Sequence, residues 1–166
     1  MSTLHVPSVG AVDFSNVDDG YWSFMAPFGG SEIDVTFDTG GPDMSSEMLA
    51  KVTPLIADMA KCDERARAAI LSNFNASNDS STRLYLSHHL EELESDDRIQ
   101  CFGTDSKNLG ITDLLASLRL KRAGFYPAGD TKIATFDYSI GPDFTDYILA
   151  VEFSADGSIL DVSMES

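Results

Sequence analysis

An α+β fold follows from three features of the sequence. Period-two alternation marks both ends of the 166-residue chain, helical periodicity marks its middle, and charge divides along the same lines. Residues 1–50 hold eight acids and no Lys or Arg, residues 51–123 hold eleven acids and ten bases, and residues 124–166 hold eight acids and one base, Lys132. The formal net charge of −16 therefore sits almost wholly in the two ends. Pairing of those ends predicts one antiparallel sheet, with about four helices from residues 45–123 packed on one face. A chain of this length suits a single domain, 1–166.

The N-terminal elements come first. Residues 4–14 scatter Val6, Val9, Val12 and Phe14 among small residues, an irregular first strand. Residues 21–26 and 31–38 flank Pro27-Phe28-Gly29-Gly30, and the glycines supply a hairpin turn. Ile33, Val35 and Phe37 alternate with Glu32, Asp34 and Thr36, so one face is buried and the other is acidic and wet.

Gly40-Gly41-Pro42-Asp43 breaks this strand, and Ser45 or Ser46 can cap a first helix carrying Leu49, Val52, Leu55 and Ile56. Pro54 either kinks that helix or starts a new one behind a Thr53 cap. A second helix begins near Asp63, a third spans about 82–94 with Leu86, Leu90 and Leu93 on one face, and a fourth spans about 112–122 from a Thr112 cap. Arg119-Leu120-Lys121-Arg122 then reads as a cationic helix C-terminus.

Three strands complete the chain. Phe136, Tyr138 and Ile140 alternate with Thr135, Asp137 and Ser139; Leu149, Val151 and Phe153 alternate with Ile148, Ala150 and Glu152; Leu160, Val162 and Met164 alternate with Asp161, Ser163 and Glu165. Asp156-Gly157 is a strong hairpin signal between the last two. The solvated sheet face is expected to carry Glu32, Asp34, Asp137, Glu152, Asp161 and Glu165.

Composition narrows the function. A net charge of −16 repels a phosphate backbone and argues against nucleic acid. The same field attracts a basic protein and speeds encounter with it. No apolar run reaches the roughly 18–20 residues of a membrane span. The opening MSTLHVPSVG lacks a basic segment followed by an apolar one, and Cys62 and Cys101 belong to no CxxC, so a cytoplasmic protein with reduced thiols is expected.

Catalytic and metal signatures are sparse. Asp38-Thr39-Gly40 matches the tripeptide of aspartic proteases, but that chemistry needs two carboxylates sharing a proton, and Gly41-Pro42 follows where Ser or Ala is usual. A strand ending in a glycine turn accounts for it. His88 and His89 are adjacent, so a helix turns them about 100° apart rather than presenting them as an i, i+4 ligand pair. Glu91 to Asp97 forms an acidic helix end without the spacing of a calcium loop. No cofactor, catalytic residue or metal ligand is expected.

Three segments resemble an uncharacterised bacterial family, a domain of unknown function in small acidic proteins. They are YLSHHLEEL at 85–93, LRLKRAGFYP at 118–127, and FDYSIGPDFTDYILAVEF followed by ADGSILDVSMES at the end. The likeness covers most of residues 60–166. It implies a bacterial α+β protein and supplies no catalytic residues. Some small acidic bacterial domains are suspected immunity proteins that neutralise a toxin. The function expected is thus non-enzymatic binding of a basic protein by the acidic face, of the immunity type. The alternative is a small hydrolase or metal-dependent enzyme in an unfamiliar fold.

Overall fold

The computed structural model describes residues 3–7, 9–14, 19–141 and 144–166. Strands from both chain ends share one six-stranded sheet, and the helical middle lies on one face of it. The elements run β1 (Thr3–Val6), β2 (Gly10–Asp13), β3 (Tyr21–Phe28), β4 (Ser31–Asp38), α1 (Ser46–Ala57), α2 (Met59–Ala76), α3 (Ser81–Glu92), α4 (Ser95–Phe102), α5 (Ile111–Ser117), β5 (Leu118–Phe125), β6 (Ala134–Ile140), β7 (Ile148–Phe153) and β8 (Ile159–Glu165). Strand order is β3-β4-β5-β6-β7-β8, with β1-β2 as a separate two-stranded sheet.

Most neighbours pair antiparallel, as expected, but β4 and β5 run parallel. The whole helical layer connects these two strands, and a crossover of that kind returns the chain in the same direction. The sheet is therefore mixed rather than purely antiparallel.

The largest departure from the sequence pattern lies at residues 118–125. The helix expected to run to 122 stops at Ser117, and Leu118–Phe125 is a central strand. Leu118 and Leu120 point into the core between Arg119 and Lys121. A β-bulge at Lys121 then shifts the phase, so that Ala123 and Phe125 take over the apolar side. Helix α5 starts at Gly110, whose N–H donates to Asp113, rather than at a Thr112 cap.

Other boundaries move less. The irregular first strand is a small hairpin, with Phe14 behind it packed edge-on against Trp22 and Phe37. Pro54 lies inside α1, and Asp58 closes α1 and caps α2 by accepting from Lys61 N. The acid run does not end a single helix. Glu91 and Glu92 finish α3, while Asp96 and Asp97 occupy the first turn of α4, where the helix dipole favours them.

The core lies between the sheet and the helices. Ile33, Val35 and Phe37, then Phe125, Phe136, Leu149, Val151 and Phe153, are all fully buried. Polar ties fix the helical layer to it. Tyr138 Oη donates to Asp63 at 2.6 Å, and Arg67 of α2 grips the same carboxylate at 3.1 Å. The Arg67 guanidinium also donates to the carbonyls of Leu115 and Leu118, at 3.0 and 3.2 Å, satisfying acceptors at the α5–β5 junction. Burial and the adjacent Asp63 carboxylate push the Tyr138 hydroxyl far above its ordinary pKa.

Candidate functional site

Strand register orders the helix-free face of the sheet into rows. One row runs Ser23, Thr36, Gly124, Thr135, Glu152, Asp161 across β3 to β8. The next runs Met25, Asp34, Arg122, Asp137, Ala150, Ser163. Beyond it stand Glu32 on β4, and Ile148 paired with Glu165. All six acids singled out in the sequence thus lie on the same side of one sheet. The middle of this side, at Thr36, Gly124, Thr135, Asp137 and Ala150, is buried beneath neighbouring side chains.

The six are not equivalent. Glu32, Asp161 and Glu165 are exposed, and Asp34 and Glu152 are half-buried. Asp137, in the centre, is buried and accepts from Arg122 Nε at 2.7 Å. Burial pushes its carboxyl upward and Arg122 opposes this. Burial likewise works against the Arg122 charge, but the bond and charge of Asp137 raise the guanidinium above its ordinary pKa. The second Asp137 oxygen and the Thr135 hydroxyl are buried without a hydrogen-bond partner among the described residues. Asp137 therefore serves the sheet and is not an open contact residue. Glu152 meets Lys132 at 3.6 Å, and Asp34 accepts from Ser23 Oγ at 2.7 Å.

Three bases share this side as well, which the sequence pattern missed. The bulge places Lys121 next to Arg122, while Arg119 precedes them by one alternation. The Arg122 fork also reaches Tyr126 Oη at 3.4 Å, and Lys132 lies over the Tyr126 ring at 5.1 Å. Gly124 makes room for this arrangement, since a Cβ there would stand 3.2 Å from Thr36 Oγ1 and 3.4 Å from Arg122 Cζ. The missed signal was the alternation of Leu118 and Leu120 with Arg119 and Lys121.

Elsewhere the motifs have structural roles. Asp38 is exposed and accepts from Gly40 N at 2.9 Å, while Thr39 N donates to Gly20 O at 2.9 Å, so the Asp-Thr-Gly run stitches the end of β4 to the start of β3. Cys62 and Cys101 are free thiols, and burial raises both, Cys101 to about 11. Asp156 and Gly157 form the expected β7–β8 turn, with the Asp156 carboxylate held down to about 2 by bonds from Ser154 and Ser158. Among the described residues, no group of three or more His, Cys, Asp or Glu could hold a metal ion.

The histidines form an aromatic knot. His89 is buried and its Nδ1 lies 2.7 Å from Tyr85 O, a contact in which the ring nitrogen must donate. Its Nε2 is then an acceptor, buried and without a partner among the described residues. His88 packs edge-on against both His89 and Tyr147. Burial lowers the His89 pKa, assisted by His88 and opposed by the bond to Tyr85. Below about pH 6.5 the unfolded chain takes up a proton that the folded imidazole refuses. Stability should therefore fall as pH drops below that value, by at most about 1.4 kcal/mol per pH unit. Denaturant melts of wild type and His89→Gln between neutral and mildly acid pH check this. Parallel pH slopes for the two proteins would refute it.

No family model, curated protein or solved structure matches the chain.

Proposed function

We propose that the chain is a non-enzymatic binding protein that docks a basic protein on the open face of its sheet. The observation that carries this reading is the gathering of Glu32, Asp34, Glu152, Asp161 and Glu165 on one side that no helix covers. Pure solubility would be served by acids scattered around the surface. Here Glu32, Asp34, Asp161 and Glu165 share one face without an ion-pair partner among the described residues, and their field attracts a cationic partner, opposed in part by Arg119 and Lys121. The immunity-type role, neutralising a basic toxin, is the form of this reading that the bacterial resemblance of residues 60–166 supports. A hydrolase or metal-dependent reading gains no support from the grouping of acids and histidines described above.

The test neutralises exposed acids that hold no cation, Asp161→Asn together with Glu165→Gln. Like charges facing one another across strands cost roughly 0.2–1 kcal/mol per close pair, so the melting temperature should hold or rise slightly. A partner is captured from the source cells, and its association rate is measured at low and near-physiological salt. The variant should associate several-fold more slowly at low salt, with the difference shrinking as salt screens the field. Equal rates at low salt would remove the acidic face from the function.

A further inference from the structure

A second site lies where the central ladder splits. β4 and β5 pair only from Asp34–Arg122 to Phe37–Phe125. Before those residues no β4–β5 pairing is formed among the described residues, and at the same level a bulge at Lys121 interrupts the β5–β6 register. The split opens into a cleft of about 420 Å³, lined by the Gly29–Gly30 turn and Glu32 on one side, Arg119 and Lys121 on the other, with Gln100 of α4 closing an end. Volumes of this order suit a small organic ligand.

The cleft's charges are what distinguish it. Most bases of this chain are occupied. Arg67, Arg122 and Lys132 meet carboxylates, and Lys51, Arg65, Arg83 and Arg98 donate to backbone carbonyls. Lys121 is half-buried, yet it makes no hydrogen bond or ion pair among the described residues. Arg119 uses one nitrogen, Nη1, on the carbonyls of Ala116 and Leu118, and the rest of its fork has no partner among the described residues. Two cations with spare donors therefore border one cleft in a protein of net charge −16. Glu32 borders it too, but stands beyond ion-pair distance of either.

We propose that this cleft binds a small molecule through its phosphate or carboxylate group, held by Arg119 and Lys121. A guanidinium and an ammonium bordering one space suit that chemistry, through charge-assisted hydrogen bonds that are stronger than neutral ones. The acids across the sheet oppose it only weakly, since exposed charges beyond ~8–10 Å are largely screened at physiological salt. Glu32 is the near exception and sets a limit on affinity for a bare anion. The cleft shares Glu32 with the open face, but anion binding by Arg119 and Lys121 does not rest on protein docking there.

The experiment is an amide NMR titration of the full chain with inorganic phosphate and, separately, with citrate, at ionic strength held constant with chloride. Saturable shifts confined to residues 29–32, 100–101 and 117–121 are expected for at least one probe, and which probe binds distinguishes phosphate from carboxylate. Arg119→Gln with Lys121→Gln should weaken binding about tenfold or more. Glu32→Gln, an exposed change that leaves the fold intact, should tighten it by about two- to fivefold. Shifts no larger than those from chloride, or shifts scattered over the surface, would overturn the site. So would an affinity that Glu32→Gln leaves unchanged or lowers, even where the double variant fails to fold.

Discussion

Replacing Phe37 with Ala is expected to remove about 3–5 kcal/mol of stability, enough to unfold a large share of a domain that is only marginally stable. Phe37 is fully buried and is the hinge of an aromatic chain. Its ring lies 4.9 Å from Phe14, 6.0 Å from Phe24 and 5.3 Å from Phe125. It therefore joins the segment behind the small hairpin to the N-terminal strands, and those strands to the centre of the sheet. Truncation leaves a cavity bordered by three other rings, which cannot collapse onto it without breaking strand register. Phe24→Ala, at a half-buried edge position, should cost distinctly less. Urea denaturation of both variants checks the ranking. A Phe37→Ala loss below about 1 kcal/mol would show that the hub is not structural.

Arg122→Met should cost about 2–4 kcal/mol, for a different reason. Removing one partner of a buried ion pair strands the other charge. The Asp137 side chain is 8% exposed, and its second oxygen already lacks a partner among the described residues, so little can replace the lost fork. The Arg122 side chain is itself 34% exposed, which places the expected cost below that of a fully buried pair. The stranded carboxyl titrates above its unfolded value, so the folded variant binds the proton more readily than the unfolded chain. Its deficit should shrink as pH falls through the acid range and grow as pH rises. The double variant Arg122→Met with Asp137→Leu should recover most of the loss at neutral pH. Equal melts for wild type and Arg122→Met would mean that the pair contributes nothing to the centre of the sheet.

These two residues also show what the sequence reveals and what it hides. Phe37 sits in a clean alternation, and such a pattern assigns every side chain to a face once the strand is paired. For the same reason all six acids could be placed on one side before any topology was known. Asp156-Gly157 fixes its hairpin by turn chemistry alone. Arg122 was hidden by the bulge. Two polar residues in succession, Lys121 and Arg122, break the period of two, while Leu114, Leu115 and Leu118 extend a helical spacing into the strand. Burial of Asp137 was hidden for another reason. Its alternation says that it faces away from the helices, but only the strand order puts it at the middle of that side, where neighbours shield it. The cleft is likewise a product of register, made by a ladder that stops, and no local pattern marks where a ladder stops.

The parallel pair β4–β5 also imposes an order in time. β5 to β8 are joined in sequence, each to its neighbour, and such local pairings close quickly. β4 reaches β5 only by bringing Phe37 to Phe125 across the whole helical layer, a closure that is entropically slower. During synthesis the β3–β4 hairpin emerges well before β5 and waits, with one edge of β4 unpaired, until β5 leaves the ribosome. The last step of folding is then expected to be the docking of an early-made hairpin onto a late-made meander. A nascent chain halted before Leu118 should be the species most prone to aggregate, through the waiting edge of β4.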